Sequence, residues 1–225
     1  VFPTSIGLAS TWDKSLIETV GRTIASELRA QGGHIGYGPV IDLAREPRWS
    51  RVEETYGEDT YLTSSMAAAM VKGTGPAHNG WDKGIVSTLK HFVAYGIPEG
   101  GHNGNPSNVG MRDLHENFLP AFKAAVDEGA LSVMTSYNSI DGVPSTGNPH
   151  LLRDILKDEW GFDGFVVSDL VSIDGLYSDH HIAENKEEAG IIAINAGVDV
   201  DLGANCYALL KNAVETGRVS EDVLD

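Results

Sequence analysis

The chain has 225 residues, 41% hydrophobic and 21% charged, the composition of an ordinary soluble globular protein with room for one sizeable core or two small domains. Its 32 acidic and 16 basic side chains give a formal net charge of −16. That balance argues against a nucleic-acid surface and against docking on anionic lipid, and suits a neutral or cationic small ligand better.

Helical and strand-like patterns alternate along the chain. Leu16, Ile17, Val20, Ile24, Ala25 and Leu28 fall at helical spacing and predict a helix over 13–30, capped by Asp13. "HIGYGPVIDLA" (34–44) reads as a strand, and "DTYLTSSMAAAMVKG" (59–73) as a helix with Asp59 at its start and a closing glycine. "GIVSTLKHFVAYG" (84–96) is strand-like, and 111–129 is a helix ended by glycine. "ALSVMTSY" is a strand, "PHLLRDILKDEWG" a helix and "GFVVSDL" a strand. "NKEEAGIIAINAG" is a helix, "VDVDLG" a strand and "CYALLKNAVETG" a helix.

Several of the strands are apolar almost throughout rather than alternating, as in parallel strands covered on both faces by helices. The βα alternation therefore predicts an α/β architecture, either a barrel or a doubly wound sheet. No GxGxxG follows the first strand and no P-loop is present, so nothing supports a nucleotide-binding open sheet. The longest irregular stretch is "GIPEGGHNGNPSNVG" (96–110), a length of loop that is usually functional. The single Cys206 excludes an internal disulfide and reads as a small core residue. No stretch is apolar for long enough to span a bilayer. The first residues lack the basic leader and apolar run of a signal peptide. The chain lacks an initiator Met and closes on "VSEDVLD", so both ends look cut and a longer parent is expected.

In a parallel barrel the active site forms at the C-terminal ends of the strands. Each predicted strand releases polar residues there: Asp42 with Arg45 and Arg48 following, then Lys90-His91, Tyr137-Asn138, Ser168-Asp169, and Asp199 with Asp201. Taken alone, an aspartate after a strand is a cap or turn residue, and Asp199 and Asp201 are read as turn or loop-anchoring residues. Four consecutive strands ending so are better explained by convergence on one mouth. The densely charged "AREPRWSRVEETYGED" (44–59) is expected to pair several of its Arg and Glu residues with one another.

These stretches carry a resemblance. "FPTSIGLASTWD", "PVIDLAREPRWSRVEETYGEDTYL", "TLKHFVAYGIPEGG", "RDLHENFLPAFKAAV", "SVMTSYNSIDGVP", "LLRDILKDEWGFDGFVVSDL" and "AINAGVDVDL" occur in the order found in the N-terminal barrel domain of glycoside hydrolase family 3. The chain resembles that domain over 1–225. The resemblance implies a TIM-type (β/α)8 barrel, incomplete here because the ends look cut, and a retaining exo-β-glycosidase. The expected activity is release of terminal β-linked sugars, β-D-glucosides before β-xylosides.

It further implies Asp169 as the nucleophile, kept ionised by nearby Lys90, His91 and Arg51. Lys90, His91 and Arg51 would also bind sugar hydroxyls, Tyr137 would orient the nucleophile, and Met134 would line the pocket. No metal or organic cofactor is implied. The acid/base carboxylate is expected from a later domain of the parent protein. Three departures bear on this: Leu170 follows Asp169 where the family often has an aromatic residue, an early-strand aspartate that commonly grips the sugar is not in the chain, and the acid is not either. His102 has no matching DSH, so the N-acetylglucosaminidase subgroup is disfavoured. The competing readings are an inactive carbohydrate-binding fragment and a Schiff-base lysine at Lys90. Exposed barrel edges leave self-association open, and the compartment leans to secreted or periplasmic.

Overall fold

A short helix that the spacing does not signal, α1 (Ser5–Ala9), opens the computed structural model, which describes residues 2–224. Helix α2 (Lys14–Ala30) starts as expected. The Asp13 carboxylate accepts from the backbone N–H groups of Ser15 at 2.9 Å and Leu16 at 3.1 Å, two donors that the first turn leaves without partners. After β1 (Ile35–Gly36) comes α3 (Thr60–Thr74), capped by Asp59 through Leu62 N–H at 2.6 Å. The glycine predicted to close α3 does something else: the helix runs on to Thr74, and Gly75 is its cap. A Cβ on Gly73 would sit 2.3 Å from the Glu18 carbonyl oxygen, so Gly73 is what lets α2 and α3 cross closely.

Helix α4 (Pro76–Asn79) leads to β2 (Val86–Phe92). The helix predicted over 111–129 forms as α5 (Met111–Asp113), a wider turn at Leu114–Phe118, and α6 (Leu119–Asp127). Strand β3 (Ser132–Thr135) is followed by a small hairpin, β4 (Ser139–Ile140) and β5 (Val143–Pro144), turning at Asp141-Gly142, both with positive φ. The helical segment His150–Glu159 precedes β6 (Phe165–Val167) and an unpredicted α7 (Ser172–Ser178). Helix α8 (Lys186–Ala196) is capped by Asn185 and closed by Gly197 at φ 108°, and α9 (Leu210–Glu215) follows.

The sheet order is β1-β2-β3-β6, every pair parallel. Chain order and spatial order coincide, so there is no switch point of the kind that doubly wound sheets need. This is an arc of a (β/α) barrel. Two predicted strands shrink. Only Ile35–Gly36 of 34–44 joins a ladder, because Gly38-Pro39 interrupts it and Pro39 has no N–H to give; Val40 rejoins as one bridge to Lys90. "VDVDLG" contributes a single bridge, Val167 to Val200. With four ladder strands and these two bridges among the described residues, the barrel is incomplete, as expected.

Register fixes which side chains face the barrel. Leu89, Val133 and Val166 stand side by side across β2, β3 and β6, fully buried within the apolar cluster that includes Ile17, Met66 and Phe122 from the helices. Side chains alternate along a strand, so Lys90, Met134 and Val167 face the other way, into the barrel. The extended run continues through Ser168, whose N–H donates to the Val200 carbonyl at 2.9 Å, which carries Asp169 to the barrel side.

Candidate active site

Asp169 is 8% exposed. Its Oδ1 accepts from the Leu170 N–H at 2.7 Å, a local contact of the kind that turn aspartates make. It does not cap α7, which begins at Ser172 without a side-chain cap. Its Oδ2 is buried and has no hydrogen-bond partner among the described residues. A carboxylate held this way keeps one oxygen free to react.

That oxygen faces His91. The His91 Nε2 lies 3.4 Å from Asp169 Oδ2, close enough for charge to act but too long for a good hydrogen bond, and Nε2 likewise lacks a partner. On the far side of the ring, Nδ1 lies 2.8 Å from Asp42 Oδ2, which also accepts from the His91 backbone N–H at 3.1 Å. The His91 and Asp42 side chains are 1% and 0% exposed. An aspartate buried so completely has to be hydrogen-bonded to be tolerated, and His91 supplies both bonds.

Arg51 and Glu54 form a two-pronged pair, each N–O distance 2.7 Å. The guanidinium also sits 5.5 Å above the ring of Tyr95. Burial works against the Arg51 charge, but its two bonds to Glu54, together with the nearby Tyr95, outweigh that and raise its pKa. The same Arg51 bond holds the Glu54 carboxyl below its ordinary range. Lys90 goes the other way: burial first, then repulsion from Arg51, lowers its pKa against the pull of Asp169, Glu54 and Asp42. Arg51, Lys90, His91 and Asp169 thus act on one another across one space.

The Tyr137 hydroxyl, expected to orient the nucleophile by donating to Asp169 or toward the sugar ring oxygen, lies close to Asp169 and donates to the Leu170 carbonyl at 2.9 Å. Burial, then the Asp169 charge, keeps the phenol neutral. Met134 is 1% exposed on the barrel face, registered against Val167. The predicted set therefore gathers on the C-terminal side of β2, β3 and β6.

Sequence reasoning missed the ring at its centre. Tyr95 is fully buried, edge-on to His91 at 4.9 Å and to Trp49 at 5.0 Å, and tilted to Tyr137 at 6.0 Å. Burial raises its phenol to about 12. Trp49 in turn donates through Nε1 to Asn103 in the long loop, at 2.9 Å. "HFVAYG" reads as core, and only the spacing to His91 hinted otherwise. Arg45 and Arg48 point elsewhere, to Asp113 and Glu46. Asp199 and Asp201 are the anchors they were read to be: Asp199 accepts from Val166 N–H, and Asp201 from the N–H groups of Ala204, Cys206 and Tyr207. Cys206 is buried.

Fold and site together define a (β/α)-barrel domain with a largely buried carboxylate at the end of one strand, faced by Lys90, His91 and Arg51. The chain belongs to the glycosyl hydrolase family 3 N-terminal domain family, whose profile matches residues 1–225. It is similar to the periplasmic beta-glucosidase of Salmonella typhimurium, 40% identical over 229 residues covering 100% of this chain and 29% of that protein. It is 45% identical over 206 residues to a beta-xylosidase of Formosa agariphila, covering 90% of this chain and 28% of the other. The crystal structure of beta-glucosidase from Listeria innocua in complex with glucose matches with a TM-score of 0.96 at 39% identity, over 100% of this chain and 32% of that one. The chain thus spans less than a third of the length of these relatives.

Proposed function

We propose that this chain is the nucleophile-bearing domain of a retaining exo-β-glycosidase that releases terminal non-reducing β-linked sugars, β-D-glucosides foremost. The observation that carries the reading is the free Oδ2 of Asp169, buried on the barrel side, faced by His91 at 3.4 Å and lying in the field of Lys90. A glycosidic bond breaks through a state with positive charge on the ring, which an ionised carboxylate beneath the anomeric carbon stabilises. An Asp169 oxygen then bonds that carbon while its bond to the leaving oxygen breaks and the leaving oxygen takes up a proton. Water attacks the same carbon in the second step, frees the Asp169 carboxylate and gives up its proton.

The proton donor is proposed to lie outside this chain. Asp42 is wholly buried against His91, and Glu54 is bound to Arg51, so neither is free to protonate a leaving group. Lys90, His91 and Arg51 are proposed to bind sugar hydroxyls, Tyr137 to hold the chain next to the nucleophile, and Met134 to line the floor.

A β-xylosidase is the second reading. It is favoured by Leu170, 54% exposed beside Asp169 where an aromatic wall is absent, and by the Formosa agariphila relative. A panel of aryl β-glucoside, β-xyloside, β-galactoside and β-N-acetylglucosaminide, given to the full-length protein carrying this chain, separates the two. The proposal expects the glucoside to have the highest kcat/KM, whereas a higher value for the xyloside would reverse the order.

A further inference from the structure

We infer that Asp42 is a positioning residue for this reaction, holding the His91 ring in one tautomer and one orientation so that Nε2 is presented to Asp169 and to a sugar hydroxyl beside it. The inference rests on Asp169 being the nucleophile. Asp42 Oδ2 accepts from two groups of the same residue, the backbone N–H at 3.1 Å and the ring Nδ1 at 2.8 Å. An ionised carboxylate can only accept, so Nδ1 carries a proton. The other ring nitrogen is then the one turned to Asp169, and the ring cannot flip without taking one of two donors from a buried carboxylate.

Tyr95 limits the remaining freedom, since its ring stands edge-on to the imidazole at 4.9 Å with an interplanar angle of 69°. Beyond the ring, His91 Nε2 and Asp169 Oδ2 are two buried polar atoms 3.4 Å apart with no partner among the described residues. Both are acceptors in this tautomer, so a sugar hydroxyl placed beside them donates to one of the two. Asp42 touches neither the sugar nor Asp169 in this scheme; it acts through His91. Positions like this matter because a catalytic array loses rate steeply when its members are displaced by tenths of an ångström to an ångström.

The test is a double-mutant cycle in the full-length protein carrying this chain, using Asp42→Asn and His91→Gln. Rates on a dinitrophenyl β-glycoside are expressed per active site, titrated with the corresponding 2-deoxy-2-fluoro glycoside. Asn keeps an acceptor for the two N–H groups but removes the charge, so the fold is expected to survive. Asp42→Asn is expected to lower kcat/KM about 10- to 100-fold, by analogy with the loss of the hydrogen-bond partner that orients a metal-ligating histidine. In the His91→Gln background the same change is expected to do almost nothing. An unchanged rate for Asp42→Asn, or an equal loss in both backgrounds, overturns the inference. Failure of the underlying reading looks different: the fluoro glycoside then leaves no adduct on Asp169 of the unmutated protein.

Discussion

The hydroxyl of Tyr137 donates to the backbone carbonyl of Leu170 at 2.9 Å, tying the end of β3 to the turn that follows Asp169. Val171, next along, sits in the left-handed region at φ 61°, a conformation that a β-branched residue adopts only when its surroundings hold it there. Tyr137→Phe removes this hold and leaves the ring in place. The expected cost is about 1 kcal/mol of stability and a several-fold fall in kcat, measured by thermal unfolding and steady-state kinetics.

Glu54 fixes Arg51 and is predicted to control sugar affinity through it. Its carboxyl is lowered in the fold by Arg51, so the pair is intact above the ordinary carboxylate range and is lost as pH falls through the lowered value. Glu54→Gln is expected to raise KM about 10-fold, the scale of one charge-assisted hydrogen bond, with a smaller effect on kcat. A KM-against-pH profile of wild type and variant checks this. The wild-type KM should stay flat further into acid than an ordinary glutamate permits.

Lys90 sets the alkaline side. The phenols of Tyr95 and Tyr137 and the guanidinium of Arg51 are all pushed upward, while burial lowers the Lys90 ammonium below its usual range. Binding is therefore expected to weaken as pH rises through that lowered value, before the raised phenols of Tyr95 and Tyr137 titrate. Lys90→Met should reduce kcat/KM at neutral pH by about 10- to 100-fold, the loss of roughly 1.5–3 kcal/mol for a hydrogen bond to a charged group. It should also flatten the alkaline limb, read from the same profile.

Gly164 precedes β6 where two backbones nearly touch. A Cβ there would lie 2.3 Å from the Leu131 carbonyl oxygen, which accepts from Phe165 N–H at 3.1 Å. Gly164→Ala is expected to cost about 1–3 kcal/mol by overpacking. Thermal unfolding reads this as a drop of ~2–4 °C per kcal/mol for a chain of this size.

The barrel was legible because apolar strands and helices alternate, and the expected Asp13 and Asp59 caps form through their side chains. Strand length was not, since a proline at 39 breaks a ladder that its apolar neighbours suggest. Asp169, Lys90, His91 and Tyr137 were legible as polar residues released at strand ends. The roles of Glu54 and Tyr95 were hidden for opposite reasons. Glu54 sits among several charges that could pair in many ways, and only the helical turn at Val52–Glu54 selects Arg51 as its partner. Tyr95 reads as one more apolar residue in a buried run, and its contacts come from three separate segments of chain. Tyr137 was found but its partner was not, because the bond goes to a backbone carbonyl that no side-chain pattern announces.

The most direct test of the whole account is to let the full-length protein carrying this chain react with 2,4-dinitrophenyl 2-deoxy-2-fluoro-β-glucoside and to map the adduct by peptide mass spectrometry. The account predicts stoichiometric release of dinitrophenolate and a fluoroglucosyl group on Asp169, absent in Asp169→Asn. An adduct on another residue, or turnover that survives Asp169→Asn, would contradict it.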